Sequence, residues 1–153
     1  MTEGNRVGVT RFATPSDMEI VITRVVEAPI EQVFDAWTKP EEVAQWWDPT
    51  GTPLTSCEID LRPGGSFTFV NAGHGAPFAG TYLVIARPAQ LVFDAMGALG
   101  TVTLERVANE THMMVTIRCS SAEHLAMFVK IGVDVGTDRT FDNLVAYLAT
   151  RVR

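Results

Sequence analysis

Three histidines, two cysteines and a few charges on expected strands are the residues of this 153-residue sequence whose chemistry could reach beyond packing. The histidines are His74, His112 and His124. His74 falls in a glycine-containing loop, His112 on a strand face expected to be wet, and His124 near the start of a helix. No two stand at the spacing of metal ligands, so they read as surface histidines, and no metal or cofactor is expected. Cys57 and Cys119 are too few for a disulfide scaffold and read as reduced thiols, with a bridge between them left open. No local motif brings Ser, His and Asp, or Cys and His, together for nucleophilic catalysis. Gly64-Gly65 follows Pro63 as in a phosphate loop, but no Lys-Ser/Thr and no helix follow, so a turn is the simpler reading.

Arg24, Glu58, Asp60, Asp94 and Arg118 remain. Turned into a cavity, such a charge is costly unless paired, and there it can orient a ligand or act as acid or base. Turned outward, it is ordinary sheet surface. Asp94 draws most interest because it follows Phe93 in an otherwise apolar strand. No residue is assigned a catalytic role.

The elements that must position these groups follow from periodicity and punctuation. Met1 to Asp17 is polar, with Gly4, Gly8 and Pro15, and reads as a flexible tail before one domain over 18–153. Glu19 to Glu27 is β-branched and long enough for a strand. Pro29 suits the first turn of a helix, and Val33, Phe34 and Trp37 share one helical face. Lys39-Pro40 ends that helix and opens a second short one, Glu41 to Trp46, whose acidic first turn suits a helix N-terminus. Tandem Trp46-Trp47 cannot point the same way on it, so one packs inward and the other sits near a cavity mouth or an interface.

From Thr55 the pattern becomes strands between turns. They are Thr55–Leu61, Ser66–Val70, Phe78–Ala86, Gln90–Met96, Thr101–Val107 and Thr111–Cys119, with Gly97–Gly100 as a turn. Phe67 and Phe69 share a face. In the last strand Met113, Val115, Ile117 and Cys119 point to the core, and His112, Met114, Thr116 and Arg118 to water.

Ser120 with Glu123 has capping-box spacing, and no proline follows to Arg153. A helix of about 30 residues there spans roughly 45 Å. Its inward stripe holds two rows at spacing four. One is Phe128, Gly132, Gly136, Thr140, Leu144 and Leu148; the other is Leu125, Val129, Val133, Thr137, Phe141 and Val145. Gly132, Gly136, Thr137 and Thr140 are all small, which means close packing, a kink between two helices, or room for a ligand. The order of elements is that of an α+β fold whose sheet has one apolar face for the last helix to cover.

Composition limits the partners. Hydrophobic residues are 46% and charged residues 20%, the balance of a globular domain. A net charge of −6 repels phosphate backbones, so nucleic acid is not an expected partner. No stretch reaches the apolar length of a membrane span, and the N-terminus has no apolar signal region, so a cytoplasmic location is expected.

The order of elements resembles the helix-grip or START-like (SRPBCC) superfamily, shared with birch-pollen-allergen-like proteins and polyketide cyclases. More narrowly, it resembles the family named after the C-terminal domain of the heat-shock ATPase activator. The matching stretches are Val26–Trp37, Pro40–Trp47, Asp60–Phe67, Gly80–Tyr82, Pro88–Phe93 and Gly136–Leu148. The resemblance implies an antiparallel sheet of six to seven strands curved around a long C-terminal helix, with two short helices after strand 1. It also implies a cavity between sheet and helix. The chain departs from the family at Asp48, where glycine is frequent, and at Thr137, where tryptophan is frequent. The second change takes bulk out of the inward stripe.

The expected cavity residues are Trp37, Trp46, Phe67, Phe69, Phe93, Met113, Phe128, Gly132, Gly136, Thr140 and Phe141. The first functional expectation is binding of a small apolar or aromatic ligand. Behind it stand an enzyme acting on a polyketide-like or aromatic substrate, which needs an acid or base inside the cavity, and a co-chaperone-like interaction module. An exposed apolar patch would suggest a homodimer.

Overall fold

In a computed structural model the chain is described over residues 10–73 and 77–151, the side chains of 133–135 and 151 excepted. His74 lies outside the described residues, as does the side chain of Val133. The strands are β1 (Arg11–Ser16), β2 (Glu19–Val26), β3 (Ser56–Ile59), β4 (Ser66–Val70), β5 (Phe78–Ala86), β6 (Gln90–Ala95), β7 (Ala98–Val107) and β8 (Glu110–Arg118). The helices are α1 (Ile30–Thr38), α2 (Pro40–Trp46), α3 (Ala122–Lys130) and α4 (Val133–Arg151). All eight strands form one antiparallel sheet in the order β1-β2-β8-β7-β6-β5-β4-β3, so β2 and β8 are joined by a long-range pairing. The helices cover its apolar face. This is the α+β helix-grip arrangement, with eight strands rather than six or seven.

The extra strand is β1, inside the stretch expected to be a tail. It pairs Arg11 with Thr23, Phe12 with Ile22 and Ala13 with Val21. Its side chains are almost all exposed, so it carries no apolar alternation to read. What holds it is the otherwise bare backbone edge of β2. Pro15 falls where the register shifts between Ala13 and Ser16, the place on an edge strand where a missing N–H does least harm. The two short helices accordingly follow the second strand of the sheet.

The C-terminal helix is two helices. Ile131 and Gly132 break it, and Gly132 adopts φ +86°, a left-handed conformation that glycine reaches without steric cost. α3 is capped by Ser121, whose hydroxyl accepts from the His124 amide at 3.0 Å, one residue later than the expected cap at Ser120. The turn between β6 and β7 is tighter than expected. Met96 and Gly97 make it alone, at φ 55° and 77°, and the strand resumes at Ala98.

One end of the grip is filled. Trp46 and Leu144 are 0% exposed, Val102 and Leu148 1%, and Leu91 2%. Each such burial contributes about 1.5–3 kcal/mol relative to exposure. Two glycines of the sheet serve ring packing. A Cβ on Gly80 would meet the Asp94 carbonyl oxygen at 2.1 Å as well as the Phe67 ring at 2.6 Å, and one on Gly100 the Phe93 ring at 2.8 Å.

Candidate functional site

Toward the other end of the grip the side chains shrink on both walls. The sheet offers Ala95, Ala98 and Gly100, and α4 faces them with Gly136, Thr137 and Thr140. Between them lies a pocket of about 570 Å³. Its remaining wall is mostly aromatic and aliphatic. Trp37, Trp47 and Phe78 close one side, Phe93, Val115 and Ile117 rise from the sheet, and Phe128, Ile131 and Phe141 come from the helical layer. Pro49, Asn71 and Met96 complete the rim.

Of the residues expected to line a cavity, Trp37, Phe93, Phe128, Gly136, Thr140 and Phe141 meet here. Trp46, Phe67, Phe69, Met113 and Gly132 stand outside this wall. Trp46 is fully buried, and its indole N–H donates to the Ala36 carbonyl at 2.9 Å. Phe67 and Phe69 pack on each other and on Phe78, with ring centroids 5.2 to 6.0 Å apart, behind the wall. Met113 is 1% exposed and lies under Trp37, whose indole N–H approaches its sulfur at 3.3 Å. Gly132 sits at the helix break with nothing within 4 Å of a built Cβ.

Sequence reasoning did not single out Trp47, Pro49, Asn71, Phe78, Ala95, Ala98 or Gly100 as pocket residues. The tandem tryptophans carried a usable signal, since one had to turn inward and the other toward an opening. Trp46 took the core. Trp47 took the pocket, its ring 5.0 Å from Phe69 and 5.1 Å from Phe78. The small residues of β6 and β7 carried none, because alanine and glycine are unremarkable until register places them opposite α4.

A polar network borders the pocket near Pro49. Asp48 is 1% exposed. Its Oδ1 accepts from the Thr50 amide at 2.8 Å and the Thr50 hydroxyl at 2.7 Å, and its Oδ2 accepts from Asn71 Nδ2 at 2.9 Å. Asn143 Nδ2 donates to the Asp48 carbonyl at 2.8 Å, and the Thr140 hydroxyl donates to the Trp47 carbonyl at 3.2 Å. The segment after α2 is thus tied to the residue that follows β4 and to α4. Asp48 is the hub of this network.

The strand charges divide between the two faces. Arg24 is 4% exposed; its Nη1 lies 2.8 Å from Asp142 Oδ1 on α4 and donates to the Thr10 hydroxyl at 2.7 Å. Its Nε is buried without a hydrogen-bond partner. Glu58, Asp60 and Asp94 are exposed, and Arg118 is exposed and pairs with Glu19 at 3.1 Å. Asp94 therefore turns away from the pocket. His112 is half-buried on β8. His124 lies near the start of α3, where Nδ1 accepts from the Ser120 amide at 3.2 Å and Nε2 lies 3.1 Å from the Met96 carbonyl. Among the described residues, no cluster of His, Cys, Asp and Glu could hold a metal, and no helix is long and apolar enough to cross a membrane.

Both cysteines are free. Burial, followed by the nearby Glu41 charge, pushes the Cys57 thiol up to about 11. At pH 8 about one molecule in a thousand then carries the thiolate, the form that reacts. Alkylation of Cys57 by iodoacetamide is expected to quicken about tenfold per pH unit from 8 to 10. A rate that levels off by pH 9 would contradict this assignment.

The family model described as "Activator of Hsp90 ATPase homolog 1-like protein" matches residues 27–149. No curated protein matches the chain. Among solved structures, a protein from Rhodobacter sphaeroides is similar at a TM-score of 0.85 and 19% identity, over 93% of this chain and 99% of that one. A protein from Mycobacterium smegmatis reaches 0.82 at 20% identity, over 94% and 99%. CalU16 from Micromonospora echinospora reaches 0.66 at 22% identity, over 92% and 86%. At these identities the likeness is one of fold.

Proposed function

The chain belongs to the family of Activator of Hsp90 ATPase homolog 1-like proteins, and from that premise we propose that it holds a small hydrophobic or aromatic molecule, without transforming it, in the pocket between sheet and helices. The observation that carries this reading is the double narrowing of the walls. Ala95, Ala98 and Gly100 face Gly136, Thr137 and Thr140 across about 570 Å³, inside a rim of aromatic rings. A space of that size, apolar with a few convergent polar groups, is the ordinary form of a small-molecule site. Among its described wall residues none is an acid or a base. The cyclase-like reading needs such a group, and so stands behind binding. The co-chaperone and homodimer readings stand behind both, because they call for an outer surface rather than this interior space.

The test is a fluorescence titration with N-phenyl-1-naphthylamine, a neutral aromatic probe, beside native mass spectrometry of protein purified from cells. Saturable one-to-one binding is expected, together with a mass above that of the bare chain in part of the population. Absence of both would sink the reading.

A further inference from the structure

We propose that Met96 is a ligand-contact residue, held at the mouth of the pocket on a strained turn so that its flexible apolar side chain closes over the occupant. The inference rests on the binding reading above and adds the residue that retains what is bound.

Of the pocket wall, Pro49, Met96 and Ile131 are the exposed members, with Met96 at 54% and Ile131 at 61%. Residues that belong to the wall and still meet solvent mark where the pocket opens. The mouth therefore runs past the turn between β6 and β7 and past the break between α3 and α4.

Met96 stands there against the preference of its own turn. A two-residue link between antiparallel strands with both residues at positive φ favours Asn-Gly or Asp-Gly. Gly97, at φ 77°, meets that demand, but Met96 sits at φ 55°. In this left-handed region a Cβ crowds the following carbonyl, and methionine lacks the short polar group with which asparagine offsets it. The turn is also fastened in place. His124 Nδ1 accepts from the Ser120 amide at 3.2 Å, so the ring hydrogen is on Nε2, which donates to the Met96 carbonyl at 3.1 Å. The same ring lies 4.6 Å from that of Phe128, a wall residue. The backbone at Met96 is thus tied to α3, and the tie leaves the side chain free.

Strain alone does not single out Met96. Ala108, in the turn between β7 and β8, has φ 56° and stands outside this wall. At Met96 the strain coincides with exposure and with a place on the wall, the setting in which an unfavourable backbone points to function. Methionine suits a contact of this kind. Its three rotatable bonds let it follow an irregular shape, and its sulfur packs well against aromatic rings.

The test measures N-phenyl-1-naphthylamine by equilibrium titration and stopped-flow fluorescence, beside calorimetric melting of the empty protein. Met96→Asn gives the turn its favoured residue and keeps the His124 bond, which is made to the backbone. The empty variant is expected to melt about 2–5 °C higher. It should hold the probe about tenfold less tightly, through faster dissociation. Met96→Gly, equally at ease at positive φ, should show the same loss of affinity and serves if the asparagine variant folds poorly. Met96→Leu keeps the apolar bulk and should stay within about threefold in affinity. Ala108→Gly relieves strain away from the wall and should leave the affinity unchanged. Three results would each overturn the role given to Met96 while the binding reading stands. They are undiminished affinity in Met96→Asn, weaker binding with a lower melting temperature, or equal rises in both rates at one dissociation constant. No binding of the probe by the unsubstituted protein overturns both.

Discussion

Replacing Thr137 by tryptophan is expected to weaken N-phenyl-1-naphthylamine binding about a hundredfold or more, while the melting temperature holds or rises. Thr137 lies on the pocket wall of α4 between Gly136 and Thr140, facing the small residues of β6 and β7. An indole there projects into space that a ligand would otherwise use. Overpacking costs stability where a core is already dense, but here about 570 Å³ stands open. The added ring buries apolar area, worth about 25 cal/mol per Å², against the cost of fixing its rotamers. Calorimetric melting and the probe titration on one sample separate the outcomes. Undiminished affinity in a folded variant would show that the probe sits elsewhere. Lost affinity with a collapse in melting temperature would show that Thr137 matters to folding rather than to space. Thr137→Val, nearly the same in volume, should leave the affinity within about threefold, since an ordinary change of this size is worth well under 1.4 kcal/mol.

The second large effect concerns the neighbouring element. Trp46→Ala is expected to cost about 5 kcal/mol. A fully buried tryptophan removed to alanine costs about 3–5 kcal/mol through lost transfer and the void left behind. Here the Ala36 carbonyl also loses the indole N–H that satisfies it at 2.9 Å, which adds about 1–3 kcal/mol. Natural domains hold about 5–15 kcal/mol in all, so the variant is expected to sit near the edge of folding. Its melting point should fall by about 10–20 °C. Trp47→Ala, one residue on, should cost far less stability and far more probe affinity, because its half-buried ring faces the pocket. Denaturant unfolding of both variants settles the matter. A Trp46→Ala protein within about 1 kcal/mol of the unsubstituted one, or a Trp47→Ala protein less stable than it, would refute the assignment.

The contrast between these tryptophans shows what was legible in the sequence. Proline and glycine punctuation placed α1, α2 and most of the strands, because local sterics act through neighbours in the chain. Alternation in β8 read correctly for the same reason: Met113, Val115 and Cys119 are buried and Met114 and Arg118 exposed. The strand β1 was not legible, since an edge held by backbone pairing leaves no pattern in side chains. A break at Gly132 was one of three readings of the small residues there, left undecided because a stripe with spacing of four runs through it. The small residues Gly136, Thr137 and Thr140 of α4 were singled out in the sequence. The matching small residues on β6 and β7 were not, because which strand faces which helix is decided by pairings across the chain. The Asp48–Asn71 contact joins residues 23 apart and carries no local signature.

If the pocket holds the ligand proposed for it, a grip filled at one end and hollow at the other ties the lifetime of the molecule to its occupancy. The filled end, around Trp46, Val102, Leu144 and Leu148, supplies the cohesion that keeps the chain folded when nothing is bound. The hollow end forgoes cohesion that an occupant restores. A ligand present at a hundred times its dissociation constant adds about 2.7 kcal/mol to stability by mass action alone, with no change of shape. Between empty and full, the fraction of chains open to a protease at any moment then falls about a hundredfold. In a cell, the supply of the ligand would set the abundance of the protein that carries it.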